Sequence, residues 1–117
     1  MRVIVCGGRL YTDQETVFKC LDAFHSLYPI TFLIEGGQRG ADALANLWAR
    51  TRKIPYHTEQ AQWKKYKRSA GAIRNNAMLM LKPDFVIAFP GGPGTTLMKS
   101  QAANLGIQVI DIEKDIL

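Results

Sequence analysis

Strand-forming and helix-forming patterns alternate along the whole chain, and that alternation leaves few folds open. Short apolar, β-rich runs occur at residues 3–6, 31–34, 56–58, 85–89 and 108–112. Helical periodicity fills the gaps. Over 13–27, Val17, Leu21, Phe24 and Tyr28 recur at three- and four-residue steps, and Thr12-Asp13-Gln14-Glu15 fits a capping box at the start. A second stripe over 41–52 carries Ala41, Leu44, Ala45 and Trp48, and Ile54-Pro55 signals its end. The spacing predicts a third helix over 70–81, with Ile73, Ala77 and Met80 inward. A fourth over 95–105 has Met98, Ala102 and Leu105 in line and stops at Gly106.

Elements in this order form a mostly parallel sheet covered by helices on both faces, with right-handed crossovers. The expected architecture is an α/β, Rossmann-like three-layer sandwich with five strands in the order 3-2-1-4-5. Ligands of such sheets enter outside the carboxyl ends of the strands, here between the first and fourth. At 117 residues, 47% of them hydrophobic and 21% charged, the chain reads as one soluble globular domain over 1–117. No run approaches the ~20 apolar residues of a membrane span. The apolar stretch near Met1 is too short for a signal peptide and reads as the first strand. Cys6 and Cys20 have no metal-ligand spacing and are too few for a disulfide framework, so the expected setting is a reducing cytoplasm, with no metal and no cofactor. A formal net charge of +5 favours an anionic partner, although it also serves solubility.

Three glycine-rich loops each follow an apolar run: Gly7-Gly8-Arg9, Gly36-Gly37-Gln38-Arg39-Gly40, and Pro90-Gly91-Gly92-Pro93-Gly94-Thr95-Thr96. Residues without Cβ atoms let backbone N–H groups converge, and a following helix supplies unpaired donors and partial positive charge. The topology gathers these loops at the expected pocket. There is no G-x-x-x-x-G-K-[ST], which sets aside a P-loop hydrolase, and the first loop lacks G-x-G-x-x-G, which removes support for a standard dinucleotide site.

Four motifs stand in order along the chain: Cys6-Gly7-Gly8-Arg9, Glu35-Gly36-Gly37-Gln38-Arg39-Gly40-Ala41-Asp42, Ala72-Ile73-Arg74-Asn75-Asn76 and Pro90-Gly91-Gly92-Pro93-Gly94-Thr95. Together they resemble the SLOG superfamily, and within it the small stand-alone YspA-like proteins of bacteria and phages. The resemblance implies a Rossmann-like fold that binds nucleotides or nucleotide-derived ligands. Two relatives bracket the function. LOG-type phosphoribohydrolases carry P-G-G-x-G-T-x-x-E, whose glutamate assists N-glycosidic cleavage. Met98 stands at that position here, and a thioether neither stabilises an oxocarbenium ion nor activates water. Glu35 is then the candidate catalytic carboxylate. DprA-type proteins, which bind single-stranded DNA, have S-G-x-A-R-G-I-D and R-N-R motifs echoed by Gly36–Asp42 and by Arg74-Asn75-Asn76.

The residues themselves support these readings alongside plainer ones. Arg9, Arg39 and Arg74 offer planar donor forks suited to phosphate oxygens, or else ion pairs with Asp13, Asp42 or Glu35. Gly91, Gly92, Gly94 and Thr95 are candidates to hold a phosphate through amides and one hydroxyl, while Thr95 also suits a helix cap. Gly7, Gly8, Gly36, Gly37 and Gly40 join the same ligand-binding set. Asp42, in the first turn of the second helix, suits the macrodipole or a ribose hydroxyl. Glu35 reads first as an arginine partner. Asn75 and Asn76 suit a base or phosphate, or a loop–helix junction. In Trp63-Lys64-Lys65-Tyr66-Lys67-Arg68 aromatics interleave with charge. That is a stacking surface for single-stranded nucleic acid, or an irregular loop with Trp63 folded down as an anchor. His25 and His57 have no partner at a telling spacing. Residues 77–81 are apolar on more than one helix face, and with Trp48 they suggest a homodimer. The expected function is binding of a nucleotide-derived small molecule, as sensor or sequestering module. The alternatives are a nucleotide N-glycosidic hydrolase and a single-stranded DNA binder, with no membrane role.

Overall fold

A computed structural model describes residues 1–112 of the chain. Five strands form one sheet: β1 (Arg2–Cys6), β2 (Phe32–Glu35), β3 (Tyr56–Thr58), β4 (Phe85–Ala88) and β5 (Gln108–Asp111). Their order is β3-β2-β1-β4-β5 and every pairing is parallel, as the alternation requires. The helices are α1 (Gln14–Leu27), α2 (Ala41–Arg52), a short α3 (Trp63–Tyr66) that runs into a 3-10 turn (Lys67–Ser69), α4 (Ala70–Leu79) and α5 (Pro93–Asn104).

Alternation along the strands divides the core into two layers. Val3, Val5, Leu33, Ile87 and Phe89 face α1 and α2, where they meet Val17, Leu21, Phe24, Ala45 and Trp48. Ile4, Cys6, Ile34, Val86 and Ala88 face the other way, toward Met78 and Leu79 of α4 and Met98 and Ala102 of α5. Because β1 and β4 are central and covered on both faces, residues 3–6 and 85–88 are apolar without interruption.

Several local expectations need correction. The cap of α1 is Asp13, whose carboxylate accepts from the Thr16 amide at 3.0 Å and the Thr16 hydroxyl at 2.6 Å. Thr12 precedes it. Trp48 is fully buried between α1 and α2, and its indole donates to Asp22 Oδ1 at 2.8 Å, so it offers no dimer surface. Arg52 clasps the same carboxylate through Nε and Nη2 at 2.9 and 2.8 Å. On α4 the inward set is Ala70, Arg74, Asn75, Met78 and Leu79, whereas Ile73 and Met80 are exposed, Met80 at 79%. The helix turns this face inward because its polar pair finds hydrogen-bond partners there. Leu105 is exposed just beyond the end of α5, and the segment expected as an irregular loop at 63–68 is helical at its start. Among the described residues, no helix is long and apolar enough to cross a membrane.

Candidate functional site

The three glycine loops leave β1, β2 and β4 at their carboxyl ends and pack against one another. Gly8 is the hub. Its carbonyl accepts from Ala41 N at 3.1 Å and Tyr11 N at 3.2 Å, and its amide donates to Pro90 O at 2.9 Å. Gly40 takes φ +80°, and a Cβ there would run into the Gly8 carbonyl. A Cβ on Gly91 would collide with the Thr95 hydroxyl and stand 2.7 Å from Gly8 N. At these two positions the glycine is needed so that neighbouring backbones can approach.

Between the loops lies a cavity of about 830 Å³. Its walls come from the β1–α1 loop, the face of α4 carrying Arg74 and Asn75, and the start of α5. A side cavity of about 250 Å³ adjoins it at the carboxyl ends of β2 and β3. Of the residues expected at the site, Gly7, Gly8, Arg9, Arg39, Asp42, Trp63, Arg74, Asn75, Gly91, Gly92, Gly94 and Thr95 line the main cavity. Gly36 and Gly37 line the side cavity. Lys64, Lys65 and Tyr66 line neither; the two lysines are exposed beside the cavity mouth, and Gly40 sits behind the loops as packing.

The loops differ in what their amides have left to give. Gly37 N donates to Glu35 Oε1 at 2.6 Å and Gln38 N to Asp42 Oδ2 at 3.2 Å, while Gly8 N is held by Pro90. The expectation that the Gly36 loop cradles an anion through its backbone is therefore corrected at Gly37 and Gln38, because two carboxylates already occupy those donors. The start of α5 is different. Thr96 N and the Thr96 hydroxyl both donate to Gly92 O, at 3.1 and 3.3 Å. Among the described residues, the amides of Gly91, Gly92, Gly94 and Thr95 make no hydrogen bond within the protein. These are the unpaired donors of a helix N-terminus, and all four residues line the cavity.

The polar side chains around this opening are held from behind. Arg74 is buried; its Nη1 donates to Gly36 O at 2.7 Å and its Nε to Asn75 Oδ1 at 3.0 Å. Burial pushes its guanidinium below the usual arginine value, against the pull of Asp42. Asn75 donates to Gln101 Oε1 at 3.0 Å, and Gln101 Nε2 reaches Asn76 Oδ1 at 3.0 Å, so both asparagines tie α4 to α5. Arg39 is exposed at the rim, and Arg9 lies with its guanidinium carbon 5.9 Å from the Trp63 ring centroid, within cation–π reach. Trp63 is 47% exposed and lines both cavities, so it is no buried anchor.

Asp42 is buried at the start of α2, and its carboxyl is pushed up to about 7. Desolvation is the main cause and nearby Glu35 adds to it, against hydrogen bonds from Gln38 and Gly36 amides and the charge of Arg74. Cys6, also on the cavity wall, is raised to about 12 by burial and by Asp42, which makes it an inert thiol. Glu35 corrects two expectations. It pairs with no arginine; its carboxylate accepts from Gly37 N, Asn46 Nδ2 at 3.1 Å and the Thr58 hydroxyl. It is 1% exposed and lines neither cavity, so it holds β2, α2 and β3 together in place of meeting a ligand. Met98 forms part of the cavity floor.

Sequence reasoning missed Gln101, Gln38 and Gln60, and the apolar wall of Tyr11, Leu10 and Leu97. Gln101 had a readable signal, since Gly94, Met98 and Gln101 share one face of α5. Gln60 had none, because it reaches the site only from the segment after β3, which the pairing of β3 with β2 sets beside the Gly36 loop. Among the described residues, no group of three or more His, Cys, Asp or Glu side chains is placed to hold a metal ion.

An all-parallel sheet of this order, with its glycine loops and main cavity at the β1/β4 switch, defines a Rossmann-like α/β protein of the class that takes ligands at the carboxyl rim. Comparison with known proteins narrows the class. A model of the YspA, cpYpsA-related SLOG family matches residues 1–66. The Gene 61 protein of Mycobacterium phage D29 is 32% identical over 118 aligned residues, covering 94% of this chain and 94% of that protein. The chain belongs to the YspA, cpYpsA-related SLOG family, and family membership points to a nucleotide-related function. No solved structure matches the chain.

Proposed function

We propose that the protein binds a nucleotide or nucleotide-derived phosphate ligand in the main cavity, as a sensor or sequestering module. The observation that carries this is the meeting, in one cavity, of free amides at the start of α5 with Arg9, Arg39 and Arg74. A phosphate on the Gly92–Thr95 amides and the Thr95 hydroxyl gains charge-assisted hydrogen bonds and the favourable end of a helix dipole. The apolar lining from Tyr11, Met78, Leu97 and Met98 suits a base, and Trp63 is open for stacking. Titration calorimetry with nucleoside mono- and diphosphates tests the reading. Arg9→Ala and Arg39→Ala alter exposed side chains, so the fold is expected to stand while affinity falls about tenfold for each lost phosphate contact. Undiminished binding by the double variant, or no binding by the wild type, overturns the proposal.

One observation favours a second reading, hydrolysis of an N-glycosidic bond. A carboxyl titrating near neutral pH is suited to donate a proton to a departing base or take one from attacking water. Asp42 has that property and lines the cavity, whereas Glu35 is walled off. Release of free base from nucleoside monophosphates, lost in Asp42→Asn, is the expected result under this reading. No release from any of them removes it. Single-stranded DNA is the weaker alternative, since of the residues 63–66 only Trp63 reaches the cavity.

A further inference from the structure

The side cavity shares one wall with the main cavity, and that wall is the most cationic surface of the site. Arg9, Arg39 and Arg74 line both spaces, together with Gln38 and Trp63. The residues that carry the free amides at the start of α5 line the main cavity alone. Anion-binding groups thus stand in two successive places, a helix N-terminus inside the main cavity and an arginine wall at the junction. A pyrophosphate brings two charged groups to these two places where a single phosphate brings one.

What lies beyond the arginines is neutral and polar. The side cavity adds Gly36, Gly37, Gln60 and Ala61 to the shared residues, and no carboxylate lines it. Gln38 and Gln60 each carry an amide that donates and accepts, which matches hydroxyl groups that do the same. A cationic ring there would face three guanidiniums and no lining carboxylate. At about 250 Å³ the space is also below the roughly 300–1,000 Å³ typical of a complete small-molecule site, so it acts as an extension of its neighbour.

We infer that the ligand is a nucleoside diphosphate sugar. Its base and ribose occupy the main cavity, its pyrophosphate runs from the α5 amides to the arginine wall, and its terminal sugar fills the side cavity against Gln38 and Gln60. The inference rests on the nucleotide reading above and adds the second compartment to it.

The test is calorimetric, with ADP and ADP-ribose as one pair of probes and UDP and UDP-glucose as another. The wild type is expected to bind the sugar-bearing member of at least one pair about tenfold more tightly than its parent diphosphate. Gln60→Trp and Ala61→Trp fill the side cavity from the segment after β3, and each is expected to abolish that gain while leaving diphosphate affinity within about twofold. Equal affinity for both members of each pair, or a gain that survives both variants, overturns the inference and leaves the nucleotide reading standing. Failure of ADP, UDP and both sugar derivatives to bind overturns the two together.

Discussion

At the scale of single residues, the site is built largely from polar groups that have been taken out of water and given partners. Glu35, Asp42, Arg74 and Asn75 are all buried and hydrogen-bonded, and among the described residues no fully buried side-chain polar atom lacks a hydrogen bond. Asp42 is the least comfortable of them. Its carboxyl sits near 3.8 in the unfolded chain and about 7 in the folded one, so between those values the folded protein holds a proton that the unfolded chain has released. Stability from this group is therefore complete below about pH 4 and is lost as pH rises through about 7. Asp42→Asn removes the titration while keeping an acceptor for the Gln38 amide. In urea unfolding, the stability of the variant relative to wild type is expected to improve by on the order of 2 kcal/mol between pH 5 and pH 8. A difference that stays flat across that range would show that the carboxyl titrates normally. The sequence displayed these residue types in motif order, which made Arg74 and Asp42 legible as candidates, and both line the cavity. It did not display Glu35's three donors, because they come from α2, β3 and the residue two positions on.

At the scale of elements, similar glycine loops do different work. The loops after β1 and β2 spend their Gly8, Gly37 and Gln38 amides inside the protein, whereas the Gly91, Gly92, Gly94 and Thr95 amides at the α5 start have no partner among the described residues. Substitution separates packing glycines from the rest. Gly40→Ala combines φ +80° with a collision against the Gly8 carbonyl and is expected to destabilise the protein by about 1–3 kcal/mol. Gly92→Ala meets nothing within 4 Å at a φ of −103°, so its melting temperature should stay within a degree or two of wild type. Equal losses in thermal melts of the two variants would refute this division. The helices teach a related lesson. Spacing located α1, α2 and α5 and their buried Val17, Leu21, Trp48 and Met98, yet it turned α4 the wrong way. A hydrophobic count cannot see that Arg74 and Asn75 become inward residues once Gly36 and Gln101 supply partners.

At the scale of the whole molecule, the homodimer remains a proposal on narrower ground. Trp48, Met78 and Leu79 are consumed by the protein's own core, which leaves Met80 and Ile73 as the open apolar residues of the α4 region. If that face self-associates, sedimentation should give a dimer that Met80→Lys converts to a monomer; a wild type that sediments as a monomer ends the idea. The larger architecture was readable because it depends on one-dimensional signals. Strand and helix periods, glycine after β1, β2 and β4 and uninterrupted apolar runs in β1 and β4 follow from local sterics and from burial, and they sufficed for a mostly parallel sheet in the order 3-2-1-4-5, which is parallel at every pairing, and for the family. Which amides stay free, which carboxylate is walled off and where a second cavity opens are another matter. Those properties arise only when segments far apart in the chain meet, since a hydrogen-bond donor is spent or available according to what the fold has placed opposite it.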